Sequence, residues 1–348
     1  MRRVSRTVKV GNIKIGGNEK ISIQSMLNVP SEDIEGNILQ AIRLENAGCD
    51  IIRVAIPDMN AIKLISAIKN KVDIPLVADI HFDYKLAIES VAAGIDKIRI
   101  NPGNIGNESR IKAVVDACKE SNIPIRIGVN SGSLEKKILK KYEQPTAEAL
   151  YESAMYHASL LEKFDFCDIV LSMKSSNVAT MVKAYELAAA NCNYPLHLGV
   201  TETGTEQLGI IKSSIGIGSL LLSGIGDTIR VSLTAEPEKE IYCAKDILKA
   251  VGLRQEGIEM ISCPTCGRTK INLIKIVKEV EKKLKGCNKN LKVAIMGCCV
   301  NGPGEAREAD IGIAGGNGVG IIFKKGEIVR KVKETELVDE LCLEIEKM

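Results

Sequence analysis

The sequence predicts a parallel (β/α)8 barrel, the TIM-barrel fold, followed by a small α+β domain. Short apolar segments typical of buried strands alternate with amphipathic helical segments from residue 21 to residue 233. This alternation is typical of parallel strands joined by crossover helices, and eight such units match a closed barrel. After Leu253 the pattern changes and a cysteine-bearing segment begins. We therefore predict a barrel domain over 1–253 and a second domain over 254–348.

The eight barrel strands are predicted from apolar runs that turn residues bound. They are Ile21–Gln24, Ile51–Ile56, Leu76–Ile80, Ile98–Ile100, Ile125–Val129, Ile169–Met173, Leu196–Val200 and Ile229–Leu233. Helices are predicted at Ile34–Ala47, Ala61–Asn70, Tyr84–Ala93, Ile111–Glu120, Ala147–Lys163 and Val178–Ala190. A doubly wound open sheet is the alternative, but the glycine-rich dinucleotide turn expected after its first strand is absent from the sequence.

The second domain begins with the cysteines and continues as helices and strands. We predict helices at Leu273–Leu284 and Lys333–Lys347, and strands at Val293–Met296, Ile311–Ala314 and Gly320–Lys324. Within the barrel, Ser131–Gln144 is predicted as a longer lysine-rich loop, either a solvated face or a lid.

The composition argues against nucleic-acid and membrane partners. The formal net charge is +3, tryptophan is absent and aromatic residues make up 3% of the chain, so base-stacking platforms and a broad basic surface are not expected. No apolar run long enough to span a membrane is present. The basic start of the chain is not followed by the apolar segment of a signal peptide, so the eleven cysteines are expected to be reduced thiols in a cytoplasmic protein.

Five basic residues lie within or directly after the predicted barrel strands. They are Arg53, Arg99, Arg126, Lys174 and Arg230. A buried cation is costly unless it is paired, and TIM-barrel active sites lie at the carboxyl ends of the strands. Because arginine binds phosphate oxygens in two-point contacts, the set predicts a compact polyanion such as a diphosphate. The alternative is that each cation pairs with an acidic neighbour, for example Asp79, Asp96 or Asp227.

Other polar residues follow the strands. His81 is placed for a substrate hydrogen bond, Glu202 is an acid or ligand candidate, and Ser232 ends the last predicted strand. His157 is predicted to be structural, while His197 fits either role. The glycines Gly216–Gly218 and Gly224–Gly226 are predicted to flank a short helix at the usual phosphate corner of such barrels.

The cysteines of the second domain predict a metal centre. Cys263 and Cys266 form a C-x-x-C pair, and Cys298 and Cys299 precede a Gly/Pro loop that ends at Glu305. Structural zinc usually takes a second C-x-x-C or a Cys/His pair. Three cysteines with such a loop favour an iron–sulfur cluster, with Glu305 available as an oxygen donor to the remaining iron.

These motifs resemble those of the 4-hydroxy-3-methylbut-2-en-1-yl diphosphate synthase (IspG) family in its compact bacterial form. The similarity runs nearly end to end and rests on seven segments: 23–26, 78–81, 99–104, 128–135, 224–233, 263–266 and 297–305. Cys299 and Thr203 depart from the residues common at those positions. The resemblance implies the reductive ring opening and dehydroxylation of 2-C-methyl-D-erythritol 2,4-cyclodiphosphate, a two-electron reaction of the non-mevalonate isoprenoid pathway.

The resemblance also implies the site residues and partners. A [4Fe-4S] cluster would be held by Cys263, Cys266, Cys298 and Glu305. The five basic residues would hold the diphosphate, and Glu202 would stand near the reacting carbon. The family is a homodimer in which the cluster domain of one chain caps the barrel of the other. A flavodoxin or ferredoxin is implied as electron donor, since the sequence shows no nicotinamide or flavin motif.

Two other classes of protein fit parts of the sequence. A redox-neutral barrel transferase or aldolase could act on a phosphorylated substrate and carry a structural zinc domain. The second class is a zinc-ribbon binding module without enzyme activity, which the balanced charge of the chain disfavours. The metal content of anaerobically purified protein distinguishes these classes.

Overall fold

The first compact unit is an eight-stranded parallel barrel. The computed structural model describes residues 2–255, 257–287, 289–298, 304 and 306–348, and they divide into units at Met1–Leu253 and Arg254–Met348. The barrel strands are β3 (Ser22–Met26), β4 (Ile51–Ala55), β5 (Leu76–Asp79), β6 (Lys97–Ile100), β7 (Ile125–Asn130), β8 (Ile169–Lys174), β9 (His197–Leu198) and β10 (Thr228–Ile229). They pair in sequence order, β10 pairs with both β3 and β9, and a bridge between Leu171 and Leu196 joins β8 to the β9 segment. The predicted barrel is confirmed.

Helices connect the strands. They are α1 (Ile34–Asn46), α2 (Lys63–Lys69), α3 (Tyr84–Ala92), α4 (Pro102–Ile105), α5 (Glu108–Glu120), α6 (Lys136–Tyr142), α7 (Ala147–Glu162), α8 (Val178–Asn191), α9 (Glu206–Leu222) and α10 (Pro237–Ala250). Side-chain caps start several of them: Asp33, Asn107 and Thr146 each accept a hydrogen bond from a first-turn amide. Such caps satisfy amides that the helix itself leaves without partners.

The two faces of the barrel strands differ in chemistry. Alternate residues such as Ile52, Ile98 and Ile127 are fully buried in the core between strands and helices. The residues between them point into the barrel, and from β4 to β10 many of these are charged or polar. Because side chains alternate along a strand, one run such as Lys97-Ile98-Arg99-Ile100 supplies both the apolar core and the polar interior.

An antiparallel hairpin closes the amino end of the barrel. It consists of β1 (Val8–Val10) and β2 (Ile13–Ile15), which the sequence analysis did not predict. Its side chains Val8, Val10 and Ile15 pack on the lowest interior residues, Ile51, Val77 and Val170. This apolar layer seals the amino end, so the polar part of the interior lies toward the carboxyl ends of the strands.

The second unit is a five-stranded mixed sheet covered by helices. Its strands are β11 (Ile258–Ser262), β12 (Leu291–Met296), β13 (Ile311–Ala314), β14 (Val319–Lys324) and β15 (Glu327–Lys333), in that spatial order. β11, β12 and β13 are parallel, while β14 and β15 are antiparallel to their neighbours. The helices α11 (Leu273–Leu284) and α12 (Leu337–Glu346) pack on the sheet through Ile276, Val280 and Leu341.

Three predictions need correction. The predicted closing helix Lys333–Lys347 begins only at Leu337, because Lys333 ends β15 and Glu334–Glu336 form a short 3₁₀ helix. The loop Ser131–Gln144 contains α6. Gly216 and Gly218 lie inside α9, and Gly224 and Gly226 lie in the turn before β10, at the amino end of that strand. These glycines therefore do not form a phosphate corner, which would follow a strand.

Candidate functional site

The five predicted cations all lie on barrel strands or directly after one. Arg53 is in β4, Arg99 in β6, Arg126 in β7 beside Arg99 in register, Lys174 ends β8, and Arg230 follows β10. Each of the five is buried or nearly so. Their charges interact: Arg53 is influenced by Arg99 and Arg230, and Lys174 by Arg53, Arg126 and Arg230. The structure thus brings the predicted set together in one interior.

Asp79 at the end of β5 is an acidic centre of this site. Its Oδ1 accepts a hydrogen bond from Arg99 Nη1 at 2.9 Å, and its Oδ2 lies 3.8 Å from Arg53 Nε. His81 Nε2 lies 3.6 Å from Asp79 Oδ2 and 3.2 Å from Arg99 Nη1. Burial raises the pKa of Asp79, but Arg53, His81 and Arg99 together hold it well below its usual range. One carboxylate therefore orients two arginines and a histidine.

Arg230 has a different partner, Glu240 of α10. Its Nε and Nη2 atoms lie 3.3 Å from the two carboxylate oxygens, a two-point ion pair. Glu240 also accepts hydrogen bonds from Ser25 Oγ at 2.7 Å and from the Leu233 amide at 3.1 Å. The sequence analysis did not identify this residue, because only the fold places α10 beside β3 and β10.

Arg126 and Lys174 have no carboxylate partner within ion-pair distance among the described residues. Arg126 makes one long contact, from Nη1 to Gln24 Oε1 at 3.5 Å, and its Nε has no partner there. A Cβ atom on Gly199 would lie 2.7 Å from Lys174 Nζ. The glycine thus leaves room for the ammonium group. The alternative that every cation has an acidic partner holds for Arg53, Arg99 and Arg230 only, and the partners are Asp79 and Glu240.

Burial and the excess positive charge lower the pKa values of the basic residues in this site. Burial lowers the pKa of Arg53 to about 9, with Asp79 opposing the shift and Arg230 and Arg99 adding to it. Burial and the neighbouring cations lower the pKa values of Arg126 and Lys174 well below their usual range. A guanidinium stays protonated in practice, so the site holds excess positive charge that a bound anion would stabilise.

His81, Glu202 and Ser232 lie at the outer rim of this interior. The His81 side chain is half exposed, and Glu202 is exposed. Glu202 and Phe82, which follows His81, have left-handed backbone conformations with φ of 52° and 64°. Such conformations are uncommon for residues other than glycine and cluster at functional sites. Thr203 Oγ1 donates to the Ser232 backbone carbonyl at 2.8 Å, which joins the Glu202 and Ser232 loops.

The other two histidines have distinct surroundings. His157 on α7 is fully buried and hydrogen bonds Glu135, which also accepts a hydrogen bond from Ser153 Oγ. This group holds the segment after β7 onto α7, so the predicted structural role agrees with its position. His197 lies inside the barrel, and burial followed by Arg126, Lys174 and Lys97 lowers its pKa well below the ordinary value.

Lys97 is a second residue that the sequence analysis did not identify. It is fully buried, and its side chain lies inside the barrel near Arg126 and Arg53. Its two-residue spacing from Arg99 could have identified it, because residues at alternate positions face the same side of a strand such as β6. The predicted strand began at Ile98 and excluded Lys97.

The cysteines of the second unit lie at one edge of its sheet. Cys263 follows β11, and Cys298 comes two residues after β12 ends at Met296. β11 and β12 are parallel neighbours, with Ser262 opposite Ile295. Because parallel strands end at the same edge, the segments that carry Cys263, Cys266 and Cys298 leave the sheet side by side.

Backbone amides support thiolates at this edge. The Gly297 amide donates to Cys263 Sγ at 3.1 Å, and the Lys270 amide donates to the Gly297 carbonyl at 2.9 Å, linking the two cysteine segments. A hydrogen bond from the Arg268 backbone is the main cause of the lowered pKa of Cys266. Two further predicted site residues, Glu305 and Cys299, lie outside the described residues. No group of three potential metal ligands is assembled among the described residues alone.

The fold and the two sets of residues define a two-unit TIM-barrel enzyme. Residues 5–245 match the GcpE TIM-barrel domain, and residues 259–347 match the GcpE protein C-terminal domain. The chain belongs to the GcpE family. No helix of the described chain is both long and apolar enough to cross a membrane.

Similar proteins over the full length bear one name. A 4-hydroxy-3-methylbut-2-en-1-yl diphosphate synthase (flavodoxin) from Clostridium perfringens is 62% identical over 99% of both chains. The protein of the same name from Listeria monocytogenes is 55% identical over 99% of this chain and 94% of its own. A solved structure of Yersinia pestis dihydropteroate synthase covers 71% of this chain and 98% of its own, with a TM-score of 0.52 and 14% identity, which shows the barrel fold alone.

Proposed function

We propose that this protein is a 4-hydroxy-3-methylbut-2-en-1-yl diphosphate synthase. It would convert 2-C-methyl-D-erythritol 2,4-cyclodiphosphate into 4-hydroxy-3-methylbut-2-enyl diphosphate and water, with two electrons from flavodoxin and protons from solvent. The observation that carries the proposal is the interior in which Arg126 and Lys174 have no described carboxylate partner. It supports binding of a diphosphate, and the full-length relatives bear the name of an enzyme with such a product.

The basic residues would bind and orient the cyclic diphosphate. Arg126 and Lys174 would contribute most to affinity, because neither is neutralised by a described carboxylate. Arg53 and Arg99 are held by Asp79, so their donors are fixed before the ligand arrives. Fixed donors bind anions more strongly because little is lost in ordering them. His81, Ser232 and Arg230 would complete the contacts around the two phosphates.

The donor set fits a [4Fe-4S] cluster held by Cys263, Cys266, Cys298 and Glu305. Thiolates suit iron–sulfur clusters, and amide hydrogen bonds to sulfur, such as that from Gly297 to Cys263, tune such centres. When bound, the cluster supplies single electrons. Glu305 offers a carboxylate oxygen as the remaining ligand, as its position in the motif implies.

Glu202 would act beside the reacting carbon. The carboxylate stands at the rim in a strained backbone conformation, next to the loop that carries Gly132. There it could donate the proton that loss of water requires, or hold the released hydroxyl by a hydrogen bond. Glu202→Gln keeps the hydrogen bond and removes the proton, so the turnover of this variant separates the two roles.

The direct test is turnover under anaerobic conditions. Protein purified without oxygen, supplied with reduced flavodoxin and the cyclic diphosphate, should release the linear diphosphate. It should contain about four irons and four sulfides per chain, the content of one such cluster. Colourless protein with one zinc and no sulfide would instead favour the redox-neutral transferase or aldolase, which the names of the relatives do not favour.

We also propose a cytoplasmic homodimer in which one chain's cluster unit serves the partner's barrel. Arg126→Met should inactivate the barrel, and Cys266→Ser should inactivate the cluster unit. If the two units act in trans, mixing the variants under subunit exchange restores one complete site per mixed dimer. Mixed dimers without activity, formed from two variants that each keep their fold, would contradict the arrangement.

A further inference from the structure

Lys97 lies in the barrel interior one alternate position below Arg99. It begins β6, is fully buried, and stands closer than Arg99 to the apolar layer at the amino end. On β5 its register partner is Val77, which belongs to that layer. Its amine therefore lies beneath the cations assigned to the diphosphate and has no described role.

The Lys97 amine has no hydrogen-bond partner among the described residues. Two other donors of this interior, Arg126 Nε and Gln24 Nε2, are likewise buried and without partners among the described residues. Burying an ammonium ion without partners is far more costly than burying a neutral amine. Lysine escapes this cost by releasing its proton, which arginine does not do in proteins.

The charges around Lys97 reinforce this conclusion. The charged and titratable groups of the interior are Arg53 of β4, Asp79 of β5, Arg99 of β6, Arg126 of β7, Lys174 of β8, His197 of β9, Arg230 after β10 and its partner Glu240 of α10. Burial lowers the pKa of Lys97 well below its usual range, and Arg126 and Arg53 lower it further. The two charges that act most on Lys97 are therefore positive, and the two carboxylates, Asp79 and Glu240, already bind arginines.

A diphosphate bound to this set would reverse the local field. The ligand brings negative charge to Arg126 and Arg53, the two groups that oppose a charge on Lys97. A nearby opposite charge favours the protonated amine. We propose that Lys97 is a neutral amine in the free enzyme and takes up one proton from solvent when the cyclic diphosphate binds. The inference rests on the proposed function and adds a positioning residue to it.

Proton uptake by Lys97 strengthens binding of the diphosphate. Because the amine of Lys97 is neutral, it adds no further positive charge to the five basic residues while the site is empty. After proton uptake, the ammonium supports Arg126 from below and adds attraction for the dianion. Binding should therefore weaken as pH rises, because the proton that Lys97 needs becomes scarcer.

Calorimetric proton counting tests this directly. The oxidised holoenzyme, without reductant, is titrated with 2-C-methyl-D-erythritol 2,4-cyclodiphosphate in buffers of different ionisation enthalpy near neutral pH. Each phosphate of this ligand has one ester and one anhydride bond, and its single acidic oxygen is already ionised near neutral pH, so net uptake belongs to the protein. We expect Lys97→Met to take up about one proton fewer than the parent, as expected for loss of one titrating group. The exposed control Lys71→Met should behave as the parent does.

A second pair of measurements guards against a misfolded variant. Free Lys97→Met should unfold at the same or a higher temperature than the parent, since a methionine fits a buried site. His197→Gln removes another buried titratable base of the interior and should leave the proton count unchanged. Equal proton uptake by the parent and Lys97→Met, or loss of uptake in His197→Gln alone, would overturn the inference about Lys97. If the ligand does not bind at all, the proposed function fails, and the inference fails with it.

Discussion

Gly128 of β7 lies directly against the Arg99 guanidinium. A Cβ atom at this glycine would stand 2.4 Å from Arg99 Nε, closer than any real contact allows. Arg99 is at the same time bound to Asp79 at 2.9 Å, so it has little freedom to move away. The glycine therefore sets the position of Arg99, a residue predicted to bind the diphosphate.

Gly128→Ala should consequently weaken ligand binding more than it weakens the fold. The alanine pushes Arg99 off Asp79, and we expect about a tenfold loss of affinity for the cyclic diphosphate, equivalent to ~1.4 kcal/mol. Isothermal titration measures it. Gly132→Ala is the matched control, because its Cβ would meet nothing nearer than 4.0 Å. Equal losses in both variants would refute the role of the Gly128–Arg99 contact.

Arg126→Met and Arg230→Met should have opposite effects on the stability of the free protein. Arg126 has no described acidic partner, so its removal relieves a buried charge and should leave the melting temperature unchanged or higher. Removal of Arg230 leaves the buried Glu240 carboxylate without its ion pair, and breaking such a pair costs about 3–5 kcal/mol. Thermal unfolding of both ligand-free variants checks the contrast. The affinity for the cyclic diphosphate should fall in both variants. A variant that binds it normally would show that the replaced arginine is not part of the diphosphate site.

The free protein should become more stable as pH rises through the neutral range. Burial, then Arg230, Arg53 and Arg126, depress the pKa of Lys174 in the folded state, whereas an unfolded lysine keeps a pKa of about 10.4. Between these values the unfolded chain binds more protons, so the free energy of unfolding increases with pH by up to ~1.4 kcal/mol per unit for one group.

Chemical denaturation between about pH 6.5 and 8 measures that slope. Lys174→Met should reduce it relative to the parent. The upper limit matters because burial raises the pKa of Cys49 to about 12, and this thiol stabilises the fold less as pH rises above its unfolded value. A slope that is the same in parent and variant would show that Lys174 is protonated in the free protein.

Glu135→Gln should disturb the loop after β7 while the barrel stays folded. Glu135 binds His157 and Ser153, and its Oε1 would lie 3.3 Å from a Cβ on Gly103 of α4, the short helix after β6. Losing the carboxylate frees the segment that ends β7, so we expect KM for the cyclic diphosphate to rise severalfold with a small change in melting temperature. Glu108→Gln is the control, since Glu108 and its partner Lys163 are both exposed on the surface. An unchanged KM in Glu135→Gln would contradict this role.

Hydrophobic periodicity predicted much of the fold, whereas short strands and contacts between distant residues were missed. Helix α11 has the predicted bounds, because its apolar residues follow a helical period without interruption. The hairpin β1–β2 was missed although Val8, Val10, Ile13 and Ile15 alternate with polar residues around Gly11, since a pair of three-residue strands is a weak signal. The spacing of Lys97 was visible in the sequence. Glu240 was not predictable, because its pairing with Arg230 depends on how α10 packs.

The hairpin at the amino end of the barrel has a kinetic consequence. With Val8, Val10 and Ile15 sealing that end, substrate and product share the passage at the carboxyl ends of the strands. The product must then vacate the cationic interior before another substrate enters. Inhibition by the linear diphosphate should accordingly be competitive with the cyclic one, and slow departure of the product would limit the rate when it accumulates.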